Sequence, residues 1–257
     1  MLRSKLALGM LAMLCAGSAA AWLLARGAED KPSLGLVTSL PVYWPEEGSI
    51  EDMLSGDSPP HWVRTELEVG YRLVPLDVLS DEMGNGTPSP ALEKLDLLLL
   101  AQPHALPPAD LVALDSWLRE GGRALILSDP MLTEHSHFAL GDRRRPQDIA
   151  MLDPLLARWG LSLQFDPDQQ TGVRTVMLAA PVEARIVVEL PGKLIDAKNP
   201  EKAANCAIGN DGLVALCQIG KGQALILADA ALLQVERAEE SGHSEGLEAL
   251  LDSAFAQ

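Results

Sequence analysis

The sequence is poor in aromatic residues, with five Trp, three Phe and two Tyr in 257 positions, so a buried core must be built mainly from aliphatic side chains. It has three cysteines, too few for a fold held together chiefly by disulfides. Basic residues are scarce: 20 Lys and Arg stand against 36 Asp and Glu, a net charge of −16 that disfavours nucleic acid or anionic headgroups as the main partner. Signature loops are missing as well. No G-x-S-x-G turn raises a nucleophile above a sheet, and neither GxxxxGK[ST] nor GxGxxG cradles a phosphate. No catalytic residue, cofactor or resident metal is therefore assigned, and the chain is read as a non-enzyme. A hydrophobic fraction of 47% is ample for a core and excludes disorder throughout.

What the chain does have begins with an uncharged run at residues 6–25, LALGMLAMLCAGSAAAWLLA. Twenty helical residues at about 1.5 Å each span roughly the 30 Å of a bilayer core. Arg3 and Lys5 precede the run and no acid does, which holds residues 1–5 in the cytoplasm and sends the rest across. The competing reading is a cleavable signal peptide at Ala19-Ala20-Ala21. Trp22, Leu23, Leu24 and Ala25 carry the apolar run past that site and favour an uncleaved anchor. Cys15, with Leu14 before it, is read as an ordinary position of the span rather than a lipidation site. Arg3, Lys5 and Arg26 are three of the 20 basic residues and every acid follows Arg26, so the exported part holds 17 bases against 36 acids, a net −19. The expectation is a single-pass inner-membrane protein of bacterial type, with a linker at 27–33 and a periplasmic domain at 34–257.

Within that domain the pattern is α/β. Residues 34–40 (LGLVTSL), 95–102 (LDLLLLAQ) and 123–128 (RALILS) are apolar on both faces, as strands covered on both sides must be. Residues 61–69 suit a short helix and 71–79 the next strand and its exit. Pro107 and Pro108 open a helix that carries Leu111, Leu114, Trp117 and Leu118 on one stripe and closes at Gly121-Gly122. Strand, helix and strand within about 35 residues make a parallel βαβ unit. Residues 149–160 read as a helix interrupted or restarted at Pro154, and 161–165 as a strand. Residues 175–179 and 185–190 read as an antiparallel pair inside a β-rich part spanning about 172–219, and 213–219 and 223–228 as the last strands before a C-terminal helix.

One internal similarity stands out. GRALILSDPML (122–132) and GQALILADAAL (222–232) agree at seven of eleven positions. Asp129 and Asp229 fall where parallel strands end, at the carboxyl edge where open α/β sheets place ligands. Either carboxylate contacts a ligand there or caps the following turn. The same edge gathers Thr38, Ser39, Tyr43, Trp44, Gln102 and His104, an aromatic and polar set of the kind that lines a sugar or peptide pocket; Tyr43 and Trp44 could equally staple the long 42–60 loop to the core.

His135 and His137 flank Ser136 in a loop with Asp129 and Glu134. An H-x-H pair is a weak metal candidate, because zinc needs a third ligand and an outer shell. Ser128 with one of these histidines is the hydrolase reading; Pro130 removes a backbone donor that an oxyanion hole would use. The cysteines give a sharper expectation. If Asp211-Gly212 is the centre of a type I′ turn, Asn210 faces Leu213 and Cys206 faces Cys217, within disulfide range.

The segment LDLLLLAQPHALPPADLVALDSWLREGGRALILSDPML, with IAMLDPLLARWGL and IGKGQALILADAALL, resembles the ABC-type uncharacterised transport system domain, a group that includes GldG-like auxiliary components of gliding-motility ABC transporters and is similar to the GIFT domain of intraflagellar transport. The resemblance spans about residues 34–233 and is carried by structural patterns rather than active-site signatures. It implies a mostly parallel flavodoxin-like or class I glutamine amidotransferase-like sheet flanked by helices, with a small antiparallel addition. It also implies that Ser128 and Asp129 stand where those amidotransferases carry their catalytic Cys. The chain departs from larger GldG-type proteins in its length and in showing no second apolar span near the C-terminus. The expected role is a non-catalytic binding or assembly module partnered with an ABC transporter subunit, the alternative a small-ligand receptor.

Overall fold

The computed structural model describes residues 31–46, 59–198, 203–234 and 243–256. The run at 6–25, read above as a membrane anchor, lies outside them, as do residues 1–5. Among the described residues no helix is long and apolar enough to cross a membrane.

In chain order the elements are β1 (Ser33–Thr38), α1 (Trp62–Gly70), β2 (Arg72–Pro75), β3 (Leu97–Ala101), α2 (Pro108–Glu120), β4 (Arg123–Leu127), α3 (Asp153–Trp159), β5 (Leu161–Gln164), β6 (Arg174–Met177), β7 (Arg185–Val188), β8 (Lys193–Asp196), β9 (Asn205–Gly209), β10 (Val214–Ile219), β11 (Gly222–Leu227) and α4 (His243–Phe255). Seven strands form one sheet in the order β2-β1-β3-β4-β11-β10-β9. From β2 to β11 every pairing is parallel, while β10 and β9 extend the sheet as antiparallel strands. Two antiparallel pairs stand apart, β5 with β8 and β6 with β7.

The continuous apolar runs follow from burial on both faces. Because successive side chains of a strand point to opposite sides, Leu97, Leu99, Leu125 and Leu127 enter one core with Val63 and Leu67 of α1 and Leu247 and Leu250 of α4. Leu98, Leu100, Ala124 and Ile126 enter the other with Leu114, Trp117 and Leu118 of α2 and Leu155, Leu156 and Trp159 of α3. Each fully buried Leu contributes about 2 kcal/mol of apolar transfer, so the hydrophobic term is shared between two layers.

The internal similarity acquires a geometric meaning. β4 and β11 are neighbours paired in parallel with Ala124 opposite Ala224 and Leu127 opposite Leu227, so the two similar segments lie side by side in register. The start of β11 sits close against the end of α2 and the turn into β4: a Cβ on Gly222 would stand 2.1 Å from the Gly122 carbonyl and 2.3 Å from that of Leu118.

One expectation is corrected. Residues 149–152 are not helical, and the helix starts only at Asp153 with Pro154 in its first turn. A proline lacks the N–H that a helix interior requires, and the preceding chain is tied elsewhere: Leu132 N–H donates to Asp148 O and Ala150 N–H to Asp129 O. The strand read at 161–165 is present at 161–164 and pairs with β8, an element absent from the sequence reading.

The hairpin is as the turn chemistry requires. Asp211 and Gly212 both have positive φ, at 54° and 94°, Leu213 N–H donates to Asn210 O at 3.0 Å, and Cys206 faces Cys217. Their sulfurs are bonded, with the Cα atoms 4.0 Å apart.

Candidate functional site

β1 has β2 on one side and β3 on the other, so the chain leaves its carboxyl end in one direction and later returns in the opposite one. Such a switch point leaves a crevice beyond the strand ends. Here it is a cavity of about 440 Å³, lined by Thr38, Ser39, Tyr43, Trp44, Glu46, His104, Phe138 and Arg144 among others. The volume lies within the ~300–1,000 Å³ of small-molecule clefts.

Five of the eight residues expected at this edge line the cavity: Thr38, Ser39, Tyr43, Trp44 and His104. Thr38 Oγ1 accepts the Leu40 N–H at 3.0 Å, which leaves its own O–H to donate. Trp44 is 73% exposed and meets Tyr43 edge-on, the ring centroids 5.0 Å apart. Arg64 covers the Tyr43 ring at 4.4 Å and donates to the Tyr43 carbonyl. The long loop is thus stapled by Tyr43, while Trp44 projects outward.

Gln102, Asp129 and Asp229 stand at the edge but are fully buried and do not line the cavity. Gln102, at a φ of 44°, is a strut. Its amide nitrogen donates to Asp129 O and Gln147 O, its amide oxygen accepts the Asp129 N–H, and its carbonyl accepts from the Ser39 N–H and hydroxyl. Gln147 N–H in turn donates to Ser39 Oγ, so Ser39 and Gln102 together pin the loop that follows β4 to the floor of the cleft. The two aspartates cap turns in matching fashion: Met131 N–H donates to Asp129 Oδ1 and Ala231 N–H to Asp229 Oδ1. Asp129 also accepts from Ala230 N–H and Asp229 from Glu189 N–H, stitching neighbouring loops together. Burial, aided by the nearby Glu189 charge, raises the Asp129 pKa to about 7 against the pull of its two backbone donors.

A second cavity of about 680 Å³ adjoins the first, with Pro41, Pro45 and Glu46 common to both, and takes in His61, Trp62, Glu134, His135, Ser136 and His137. Glu46 accepts the Ser136 hydroxyl and the His137 N–H. Among the described residues no group of three or more His, Cys, Asp or Glu could hold a metal ion. His61 caps α1, its Nδ1 accepting the Val63 N–H, while its buried Nε2 has no partner among the described residues; burial lowers its pKa to about 4. Ser128 is fully buried and its hydroxyl has no hydrogen-bond partner among the described residues, an arrangement that offers no nucleophile to solvent.

Sequence reading missed Glu46, Phe138, Arg144 and the prolines of the cleft. Phe138 and Arg144 come from a loop without periodicity and are joined by stacking, the guanidinium 4.1 Å from the ring centroid. The run Arg143-Arg144-Arg145 in so acidic a chain was a signal that could have drawn attention to this loop.

Comparison with known proteins gives one family. The pattern of the family described as ABC-type uncharacterized transport system matches residues 31–180, more than half of the chain. No curated protein matches. Among solved structures, the chain is similar to an exo-β-1,4-mannosidase from Opitutaceae bacterium strain TAV5, with TM-score 0.48 and 12% identity over 88% of this chain and 37% of that one. It is also similar to a cytoplasmic protein from Salmonella typhimurium LT2, with TM-score 0.49 and 12% identity over 75% and 86%. A ThuA-like protein from Parabacteroides merdae gives TM-score 0.40 and 10% identity over 87% and 90%. The chain spans little more than a third of the mannosidase.

Proposed function

Because this chain belongs to the ABC-type uncharacterized transport system family, we propose that it is a non-catalytic accessory component of such a system, anchored by residues 6–25 with its acidic domain outside the cytoplasmic membrane. In this reading the domain holds a partner or ligand at the carboxyl edge of a flavodoxin-like sheet, whose order β2-β1-β3-β4 puts the crevice between β1 and β3. The observation that carries it is the contrast at that edge. The exposed Trp44 and His104 and the half-buried Thr38 and Tyr43 line an open cleft, whereas the one hydroxyl in the position of a nucleophile, Ser128, is sealed in the core. A module that binds without reacting needs the first and not the second.

The test has two parts. Alkaline extraction of membranes should leave the full chain in the pellet, and protease added to spheroplasts should digest the acidic domain. A photo-crosslinker placed at position 44 should then capture a subunit of the transport system. Protection of the domain in intact spheroplasts would sink the proposed topology, and a clean crosslink to a cytoplasmic protein would sink the proposed role.

A second reading is favoured by the size and lining of the smaller cavity: the domain is a receptor for a small ligand, sugar or peptide, presented to the transporter. The two readings share the cleft and differ in what occupies it.

A further inference from the structure

We infer that the cleft beyond β1 and β3 takes a neutral saccharide. The inference rests on the receptor reading of the cleft and narrows it to one ligand class.

Its ionic groups are already engaged by the protein. Arg144 donates through Nε and Nη2 to both carboxylate oxygens of Asp142, and the Glu46 carboxylate accepts from Ser136 and His137. Arg64 is held by Glu68 and the Tyr43 carbonyl. An anionic ligand would give up hydration and meet no unpaired cation among the described residues of the cleft, and a cationic one would meet only the Glu46 carboxylate, whose two oxygens already accept hydrogen bonds. What remains unspent among the described residues is a set of hydrogen-bonding groups: the Thr38 hydroxyl, the Tyr43 phenol, the Trp44 indole N–H and the exposed imidazole of His104.

The rest of the wall is apolar and stiff. Pro41, Pro45 and Pro146 line it beside the exposed indole of Trp44, while the Phe138 ring is covered by Arg144. A pyranose matches such a wall, because its C–H face lies flat on an indole while its hydroxyl rim both donates and accepts. An extended peptide would seek a row of open backbone groups, and β1 has none to give: β2 and β3 take both of its edges. A purely apolar ligand would strip water from Thr38, Tyr43 and His104 without replacing it.

The test uses the full-length protein labelled with 5-fluorotryptophan in a detergent without a sugar headgroup. Its five tryptophans give five fluorine resonances, and Trp44→Phe assigns the one that matters. Probes are cellobiose, maltose and N,N′-diacetylchitobiose as neutral saccharides, digalacturonate as an anion, and tetra-alanine as a peptide. The expected result is that at least one neutral disaccharide shifts the Trp44 resonance saturably, that digalacturonate and the peptide do not, and that Thr38→Val weakens the binding about fivefold. A shift by the anion or the peptide without one from a neutral disaccharide, or equal shifts from all classes, overturns the saccharide assignment while leaving the cleft as a binding site. No shift from any probe overturns both.

Discussion

Reducing the Cys206–Cys217 bond is a perturbation whose cost can be worked from the fold. The bond joins an edge strand, β9, to its neighbour β10, with Cys217 fully buried and Cys206 partly so. The cysteines are 11 residues apart in sequence. Loop-closure entropy for that separation is about 2.8 kcal/mol at 25 °C, removed from the unfolded state while the bond is intact. A domain of this size loses roughly 2–4 °C of Tm per kcal/mol, so reduction should lower Tm by about 6–11 °C. Calorimetry with and without reductant measures the shift, and Cys206→Ser should reproduce it in oxidised protein. Thiol titration of the unreduced, denatured full chain should find one thiol, that of Cys15, rising to three on reduction. Three free thiols before reduction, or a Tm indifferent to reductant, would refute the reasoning.

Other expectations follow from buried groups. His61, whose pKa burial lowers from 6.5 to about 4, supports stability above pH 6.5 that is lost as pH falls toward 4, because the unfolded chain then binds the proton first. His61→Asn keeps an acceptor for the Val63 N–H and should flatten that acid loss in urea midpoints measured across this window. Asp129 works in the opposite sense: with its pKa raised from 3.8 to about 7, its contribution is fullest below 3.8 and is lost as pH rises through 7. The His61→Asn background should therefore expose a net decline in stability with rising pH. Gln102→Ala removes the partners of Asp129 N–H, Asp129 O and Gln147 O and should cost about 3 kcal/mol, with amide exchange accelerating in the loop after β4. Gly222→Ala drives a methyl into the carbonyls of Gly122 and Leu118 and should cost about 3 kcal/mol in chemical denaturation; a neutral result would mean that β11 can move away from the turn between α2 and β4.

Much of the fold was legible because local rules and tertiary demands agreed. LDLLLLAQ and RALILS are apolar on both faces, and a strand with that pattern can only be satisfied between two helical layers. Asp211-Gly212 set the hairpin register by their tolerance of positive φ, and the facing cysteines came with it. The helix misread at 149–152 shows where the agreement ends, since its apolar spacing was real but Ala150 and Asp148 give their backbone groups to the loop after β4.

The candidate site divides along the same line. Sequence alone placed Thr38, Ser39, Gln102, Asp129 and Asp229 at one edge, because a parallel strand must end where its apolar run ends. It could not say which of them would face solvent. That was decided by contacts across 27 to 108 positions of sequence: Gln102 turned inward to hold Asp129 and Gln147, Ser39 turned to Gln147, and the aspartates, besides closing their own turns, accepted from Ala230 and Glu189. Side-chain direction at a strand end depends on which distant loop needs a hydrogen-bond partner, and hydropathy carries no record of that demand. The cleft's final lining, with Phe138 and Arg144 brought in from a loop more than thirty residues away from His104, exists only once the chain has closed on itself.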